Sequence, residues 1–370
     1  MDGVGDYTWR LAAEITARGQ ACAVLSLADP HVREAAAGDL RGTNGIISFL
    51  RLPATDSWPK RTRRAKSFCE SIAPDWVSWQ IVLYGFDSRG LCFGLGGRLK
   101  EIAGGRRNHV MFHEIWIGEA DQSPLKNKLI GKLQKSIIKD LLLKLHPLVV
   151  HTHTPLYQHL LGRLGCRAAI LPLFGNIPLS ARSRSEWLKE KSPETWDQFK
   201  ADRDSWWIFV LFGSIHPEWD ADDFLQRASA AAQRAGKKYL LISIGRPGQA
   251  GERLLQGLQK QERKPWRFLS LGQQPEDDIS QCLLTADFGV ATLPPEYLFK
   301  SGTTIAMIEH GLRVIATRPP FRYVNYPSEL QSIGMRNVLT GFDLEGLKRA
   351  KPDSLLPTVA GQFIEDLSRV

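Results

Sequence analysis

The chain has 370 residues, with 48 Lys and Arg against 39 Asp and Glu, which gives a formal net charge of +9. This length exceeds one ordinary domain and fits two domains of roughly 150–200 residues each. The composition, 43% hydrophobic and 24% charged, excludes a disordered or fibrous chain, and no apolar run approaches the ~18 residues of a membrane span.

The first half of the chain alternates short apolar runs with amphipathic stretches, which is typical of a parallel sheet covered by helices. A two-glycine loop, Gly3-Val4-Gly5-Asp6-Tyr7, opens the chain. Such a loop ordinarily follows a strand, so we predict an N-terminal Rossmann-like domain over 1–175 that lacks its first strand. The predicted strands are 21–27, 45–52, 76–84, 109–112, 148–152 and 168–173, and the predicted helices are 7–18, 58–72, 89–103, 124–145 and 155–165.

The pattern breaks over 176–205, where Pro, Ser and charged residues predict an interdomain linker with one short helix near 194–201. A second alternating series predicts another Rossmann-like domain over 206–341, followed by a helical segment over 342–370. The expected fold class is therefore α/β, with two tandem doubly wound domains facing a cleft, and ligands bind such sheets beyond the carboxyl ends of their strands. The predicted strands of this half are 206–212, 239–244, 267–271, 288–292 and 313–317, and its predicted helices are 220–235, 250–261, 275–285 and 302–311.

The strongest local motif is the turn Lys300-Ser301-Gly302-Thr303-Thr304, which opens a helix that Gly311 ends. Unpaired backbone N–H groups and the positive end of the helix dipole make such a turn an anion site, and Lys300 adds a formal charge. Glu309 follows two helical turns later, where its carboxylate can accept hydrogen bonds from two sugar hydroxyls. A helix cap at Ser301 and a solvated Glu309 explain the same pattern equally well.

This motif resembles the loop and helix of retaining nucleotide-sugar glycosyltransferases of the GT-B fold, in particular glycosyltransferase family 4. That family has a Glu-x7-Glu element whose second Glu binds the nucleotide ribose, while the loop amides bind the diphosphate. Glu309 matches the second Glu, whereas Ser301 stands where the first Glu is expected. The sequence is similar to the subset of the family with a Lys-Ser-Gly-Thr turn.

Other segments resemble family elements in the same order along the chain. The loop with Gly3 and Gly5 is similar to the N-terminal glycine loop near the donor phosphate, where glycine allows close backbone approach. The resemblance places His113 and Glu114 at the reacting sugar, and Gly272 and Gln273 beside the nucleobase. The family's Arg and Lys for the diphosphate have no counterpart in Gly213–Glu218, so Lys300 and Arg246 are the candidates for that charge.

The resemblance implies a retaining, metal-independent transferase of the hexosyltransferase type. Its donor is a UDP- or GDP-sugar, its acceptor is a glycan or lipid-linked saccharide, and no other cofactor is required. The process it implies is surface polysaccharide or glycolipid biosynthesis. Two alternatives stay open, namely a non-hydrolysing nucleotide-sugar epimerase and a non-catalytic nucleotide-sugar-binding or scaffold protein.

The positive charge is concentrated in the first half: residues 1–180 hold 23 basic and 15 acidic side chains, and residues 181–370 hold 25 and 24. In the predicted helix 124–145, Ile130, Leu133, Ile137 and Leu141 share one face, with Lys128, Lys132, Lys135 and Lys139 opposite. A solvated lysine face and an electrostatic contact with an anionic membrane both fit this pattern. We expect a cytoplasmic protein, peripheral at the inner face of the membrane, and no nucleic-acid partner, because no recognition module accompanies the charge.

Two further motifs favour structural interpretations. Asp220-Ala221-Asp222 matches the Asp-x-Asp of metal-dependent glycosyltransferases but opens a predicted helix, where acidic residues are common. His151 and His153 lie on one face of a predicted strand, and no third zinc ligand is evident nearby. We therefore predict no metal site.

Overall fold

A computed structural model describes residues 3–42, 45–180, 186–260, 266–323, 326–327 and 335–370. The helices are α1 (Gly3–Ala17), α2 (Trp58–Ile72), α3 (Leu95–Ala103), α4 (Leu125–Leu145), α5 (Pro155–Gly162), α6 (Glu186–Lys191), α7 (Pro193–Ala201), α8 (Ala221–Arg234), α9 (Gly248–Lys260), α10 (Glu276–Thr285), α11 (Pro295–Leu298), α12 (Gly302–Glu309) and α13 (Leu356–Ser368). The strands are β1 (Ala23–Asp29), β2 (Ala36–Gly42), β3 (Gly45–Pro53), β4 (Trp76–Ile81), β5 (Arg107–Phe112), β6 (Val149–Thr152), β7 (Ala169–Ile170), β8 (Trp206–Phe212), β9 (Lys238–Ile244), β10 (Trp266–Gly272), β11 (Phe288–Ala291), β12 (Arg313–Ala316) and β13 (Val338–Leu339).

The chain divides into two compact units. Unit 1 comprises residues 1–172, 321–332 and 356–370, and unit 2 comprises 173–320 and 333–355. Unit 1 holds a four-stranded parallel sheet in the order β4-β5-β6-β7 and a separate sheet in the order β1-β3-β2. Within the part of the chain that the structure describes, β1 pairs only with β3, and β4 pairs only with β5. The predicted absence of a first strand stays a prediction.

Unit 2 is built on a six-stranded parallel sheet in the order β10-β9-β8-β11-β12-β13. Strand β8 is buried on both faces because its successive side chains enter two different cores. Ile208 and Val210 lie in the core beside α10 and α12, whereas Phe209 and Leu211 lie in the core beside α8 and α9. This doubly wound arrangement explains why β8 reads as a continuous apolar run.

Four local expectations differ from the structure. The predicted glycine loop is helical, because α1 begins at Gly3 and includes both Gly3 and Gly5. An antiparallel strand, β2, was not predicted, because its residues are exposed and carry no apolar alternation. The predicted linker contains α6 and α7, and buried Trp187 and Leu188 join it to the core of unit 2. The predicted C-terminal segment is divided, since 342–355 lies in unit 2 and α13 lies in unit 1.

Helix α4 is rotated relative to the face that the sequence predicts. Ile137 and Leu141 are buried as expected, but Ile130 is half-buried and Leu133 is exposed. The polar contacts of Gln134 explain this rotation. Gln134 is buried, accepts a hydrogen bond from the Ile117 amide and donates one to the Arg89 carbonyl. Gly131 lies against the same loop, since a Cβ there would clash with the Ile117 carbonyl oxygen. The contact therefore fixes which face of α4 turns inward.

The end of α12 is held by a buried histidine. The His310 ring Nδ1 lies 2.7 Å from the Ala306 carbonyl oxygen, and its Nε2 lies 2.8 Å from the Ser280 hydroxyl. The ring is fully buried, and burial lowers its pKa to about 4. A neutral ring with its proton on Nδ1 satisfies both contacts.

Replacement of His310 by Gln is expected to weaken the acid sensitivity of folding. The unfolded chain binds a proton at this residue below an ordinary pKa of 6.5, whereas the folded chain resists it until a pKa of about 4. The folded state therefore loses stability as the pH falls through this interval, by about 2 kcal/mol between pH 7 and pH 5. Urea unfolding at both pH values measures the difference, and the exposed His31→Gln serves as the matched control. Equal pH slopes for His310→Gln and His31→Gln contradict the assignment.

Candidate functional site

Three glycine turns meet at the carboxyl edge of the unit 2 sheet. Gly213, Gly245 and Gly272 end the neighbouring strands β8, β9 and β10, and all have positive φ, at 79°, 98° and 61°. The turns bond to each other in series, because the Gly213 amide donates to Ile244 and the Gly245 amide donates to Gly272. At the ends of these three neighbouring strands, glycine therefore leaves the backbone uncovered by its own side chain.

The N-terminus of α12 lies against the first of these turns. A Cβ built on Gly213 would come within 2.6 Å of Thr303 Cγ2, and one built on Gly245 within 3.1 Å of Gly213 Cα. Ser301 caps α12, since its hydroxyl accepts a hydrogen bond from the Thr304 amide. In a helix, the amides of Gly302 and Thr303 have no intrahelical acceptor, so they and the helix dipole favour an anion at this position.

One of the two predicted cations, Arg246, lies beside the glycine turns. Arg246 follows Gly245 directly, and its Nε donates to the Gln273 side chain at 3.0 Å. That bond joins two predicted positions, the diphosphate cation and the nucleobase loop of Gly272 and Gln273. Lys300 precedes the cap, and its Nζ lies 5.3 Å from the centroid of the Tyr297 ring.

A further cation was not predicted from the sequence. Arg318 follows β12, and its side chain is only 10% exposed. Its guanidinium forms an ion pair with Glu218 at 2.6 Å and bonds to the His216 ring, whose pKa is lowered by burial and by this positive charge. The signal in the sequence was its position directly after a predicted parallel strand, where ligand-binding residues are expected.

Glu309 lies at the far end of α12 and is buried, with 3% of its surface exposed. One carboxylate oxygen accepts a hydrogen bond from the Leu355 amide at 2.8 Å. The other carboxylate oxygen lies where it would clash with a Cβ on residue 175. The backbone of 175 therefore approaches the carboxylate closely because this position is glycine.

In unit 1, His113 follows β5 and His153 follows β6. His113 Nδ1 lies 3.0 Å from His153 Nε2, and the Tyr7 ring packs edge-on against both imidazoles. The sequence predicted His113 and a His151–His153 pair separately but not their contact. Glu114, the neighbour of His113, is half-buried.

The two other motifs have structural explanations. The Asp220 carboxylate accepts a hydrogen bond from the Asp223 amide and caps α8. His151 contacts His109 and Asp366, the latter 215 positions away. Among the residues that the structure describes, no three His, Cys, Asp or Glu side chains are grouped closely enough to hold a metal ion.

The outward face of α4 combines apolar and basic side chains. Leu125, Leu129 and Leu143 are 79%, 63% and 60% exposed, and Lys132 and Lys139 lie exposed on the same face. Two predicted lysines have intramolecular contacts instead. Lys128 donates to the Asp121 carbonyl, and Lys135 lies beside Glu119 and over the Trp116 ring. None of the described helices is both long and apolar enough to cross a bilayer.

Comparison with solved structures identifies the fold class. The catalytic domain of starch synthase IV from Arabidopsis thaliana, bound to ADP and acarbose, aligns with a TM-score of 0.52 and 12% identity, over all of this chain and 96% of that chain. The α/β class with two Rossmann-like domains of the GT-B type is thereby confirmed.

Two other similarities have TM-scores below 0.5, and no argument rests on them. The α,α-trehalose-phosphate synthase from Burkholderia xenovorans aligns at 0.49 with 11% identity over 93% of this chain and 90% of its own. The Anabaena protein HepE, in complex with UDP and glucose, aligns at 0.48 with 13% identity over 100% and 88%. No family profile matches the chain, and no curated protein matches its sequence.

Replacement of Gly213 by Ala is expected to displace the start of α12. The new methyl group meets Thr303 Cγ2, so the variant loses roughly 1–3 kcal/mol of stability beyond the strain of a positive φ. Gly236→Ala is the matched control, because Gly236 has a similar φ of 64° and no atom within 4 Å of its Cβ position.

Thermal and urea unfolding of the two variants measures the steric part of this loss. Adding Thr303→Ser to Gly213→Ala removes the opposing methyl group. The double variant should recover most of the stability that Gly213→Ala loses beyond the loss in Gly236→Ala. Equal destabilisation of the Gly213 and Gly236 variants would show that the close contact has no energetic importance.

Proposed function

We propose that this protein is a glycosyltransferase resembling family 4, which transfers a hexosyl group from a UDP- or GDP-sugar with retention. One observation carries the proposal: the glycine turns of β8, β9 and β10 converge on the N-terminus of α12, at the edge of a parallel sheet where ligands bind. A diphosphate fits this site because it is compact and anionic, and because its oxygens can accept hydrogen bonds from several backbone N–H groups.

The proposed chemistry requires charge stabilisation at the leaving group. As the glycosidic bond breaks, negative charge grows on the diphosphate. The α12 amides, Lys300 and Arg246 stabilise this charge, and none of them needs to donate a proton to do so. The sugar passes through an oxocarbenium-like state. The oxygen of an acceptor hydroxyl then bonds to the anomeric carbon, and its proton passes to the departing diphosphate. His113 and Glu114 are the proposed residues at the reacting sugar, and no metal ion is required by this scheme.

The proposed ribose contact is Glu309. Its hydrogen bond from the Leu355 amide fixes one carboxylate oxygen, so the side chain is oriented before a ligand arrives. The glycine at 175 leaves backbone rather than a side chain beside the other oxygen. We propose that Gly272 and Gln273 lie beside the nucleobase, and that the Arg246 contact links this loop to the diphosphate cations.

Nucleotide binding is expected to depend on Arg246 and Glu309. Arg246→Gln removes a charge that faces the diphosphate and should weaken UDP or GDP binding about tenfold, or ~1.4 kcal/mol. Glu309→Gln keeps an acceptor for the Leu355 amide but loses the negative charge offered to ribose hydroxyls, and a similar loss is expected. Isothermal titration calorimetry measures both, with exposed Arg253→Gln on α9 as the matched control for lost charge.

The same preparation distinguishes the proposed reaction from its alternatives. UDP-, GDP- and ADP-sugars are screened for thermal stabilisation, and the stabilising donor is then incubated with glycan acceptors. Transfer with retained anomeric configuration supports the proposal. An epimerised donor formed without acceptor identifies an epimerase, and binding without any turnover identifies a non-catalytic nucleotide-sugar-binding protein. Unchanged affinity in both Arg246→Gln and Glu309→Gln contradicts the proposed site.

We further propose that the outward face of α4 rests on an anionic membrane surface, next to a glycan or lipid-linked acceptor in surface polysaccharide or glycolipid biosynthesis. The protein would then act as a cytoplasmic, peripheral enzyme. The exposed leucines change the expected contact from a purely electrostatic one to one in which apolar side chains insert partly into the lipid. Leu125, Leu129 and Leu143 share one exposed face with lysines.

Vesicle binding is expected to fall about tenfold for each exposed leucine replaced by Ser on α4. Co-sedimentation with vesicles of mixed neutral and anionic lipid compares Leu125→Ser and Leu129→Ser with Lys132→Gln. Added salt should weaken the lysine contribution and spare the leucine contribution. Ile46→Ser is the control, since Ile46 is similarly exposed but lies on β3. Equal binding of all these variants, or none by the unmodified protein at low salt, excludes the membrane contact.

A further inference from the structure

Four buried histidines of unit 1 belong to one continuous hydrogen-bonded chain. At one end, His153 Nδ1 lies 2.9 Å from the Leu171 carbonyl oxygen, and His153 Nε2 lies 3.0 Å from His113 Nδ1. His113 Nε2 then lies 2.9 Å from the side-chain amide of Gln80 on β4. Both ring nitrogens of each imidazole are therefore engaged.

The chain continues through Gln80 to a second pair of histidines. The Gln80 amide contacts Ser78 Oγ at 2.8 Å, and Ser78 Oγ lies 2.8 Å from His109 Nδ1. His109 Nε2 is 3.0 Å from His151 Nδ1, and His151 Nε2 is 3.1 Å from the Asp366 carboxylate on α13. The network thus ends at a carbonyl on one side and at a carboxylate on the other.

Counting hydrogens shows that neutral groups cannot satisfy this chain. It has seven contacts, and each requires one hydrogen. Four neutral imidazoles supply four, the Gln80 amide supplies one and the Ser78 hydroxyl supplies one. The count is the same for either orientation of the Gln80 amide, because one of its two atoms always accepts. One further proton is needed.

The orientation of Gln80 places this proton at the first pair, because its Oε1 faces His113 Nε2 and its Nε2 donates to Ser78 Oγ. Burial lowers the pKa of His109 well below its ordinary value and also lowers the pKa of His151. Arg369 Nη1 lies 3.6 Å from the Asp366 carboxylate. With Asp366 accepting from His151, neutral His151 accepts from His109, and His109 accepts from Ser78. Ser78 then accepts from the Gln80 amide nitrogen, so the amide oxygen faces His113.

We infer that His113 and His153 share one proton more than two neutral imidazoles carry, and that Gln80, held by Ser78, is the positioning residue that fixes this cationic state. The Leu171 carbonyl and the Gln80 amide oxygen lie at the two ends of the pair, and both accept. Three N–H groups are therefore required from two rings. The cation lies directly beyond the carboxyl ends of β5 and β6.

The consequence for catalysis rests on the proposed function. His113 then acts on substrate through a fixed positive charge, because its ring nitrogens are already engaged in the network. This role differs from that of a neutral His accepting or donating a proton at the sugar.

Ionisable side chains carried by the elements around the pair include Tyr7, Asp6 and Arg10 of α1, Glu114 beside His113, and Tyr157 and His159 of α5. Burial raises the pKa of Tyr7, so it remains neutral through the accessible pH range. The variants used below change none of these groups. Their electrostatic effect on the pair is therefore common to every measurement.

The test is an NMR titration of protein labelled with ¹⁵N in its histidine rings. His113→Gln and His153→Gln assign the signals, and the unmodified protein is expected to keep the pair protonated at pH 7, above the ordinary pKa of about 6.5. Ser78→Ala releases Gln80, whose amide nitrogen can then turn toward His113. The midpoint of the pair should fall by about one unit or more. Ser78→Thr retains the hydroxyl and should retain the midpoint.

The inference is overturned if the pair is neutral at pH 7, or if Ser78→Ala and Ser78→Thr titrate alike. A purely structural role for Ser78 and Gln80 predicts the latter, since Ser78 is exposed and contacts neither ring of the pair. Because the titration needs no donor or acceptor, it stands even if the protein transfers no sugar. Where transfer is found, kcat/KM of Ser78→Ala should shift along the pH axis with the same midpoint, and an unshifted profile overturns the catalytic role.

Discussion

The contact between Gly213 and Thr303 is the constraint on which the candidate site of unit 2 depends. It places the N-terminus of α12 against a turn that has no side chain, and that turn bonds in series to the turns at Gly245 and Gly272. A helix dipole and three backbone turns are thus concentrated at one edge of the sheet. The same packing places the Thr303 methyl group where a β-carbon at Gly213 would lie, so a side chain at position 213 requires Thr303 to move.

Much of the architecture follows from local sequence pattern, because a strand that is buried on both faces appears in the sequence as a continuous apolar run. Strand β8 is a continuous apolar run because its alternate residues enter two cores. The turn at Lys300–Thr304 predicts the start of α12 because it contains a helix-capping serine followed by glycine. Elements without such a pattern were missed. Strand β2 is exposed and unpatterned. The composition of 176–205 predicts a linker, although Trp187 and Leu188 pack into the unit 2 core.

The candidate site was harder to predict than the fold because its contacts join distant positions. Motif spacing identified Ser301 and Glu309 as a pair two turns apart on one helix, but it gave no reason to connect Glu309 with the Leu355 amide. Arg318 and His216 are 102 positions apart and meet only because β8, β11 and β12 are neighbours in the sheet. Helix α4 shows the same limit: one buried polar residue, Gln134, overrides the apolar periodicity and turns Leu133 outward.

The histidine network illustrates how chemistry can be determined by topology rather than by motif. His109 and His113 lie on β5 and just after it, His151 and His153 on β6 and just after it, and parallel pairing brings the two sets together. Their charge state is nevertheless decided at the ends, by the Leu171 carbonyl and the Asp366 carboxylate, which no local pattern associates with either strand. A hydrogen-bonded chain with an acceptor at each end requires one more hydrogen than its neutral members provide. Charge at His113 is therefore a property of the whole network. Ser78, remote from both rings of the His113–His153 pair, decides which atom of Gln80 faces His113.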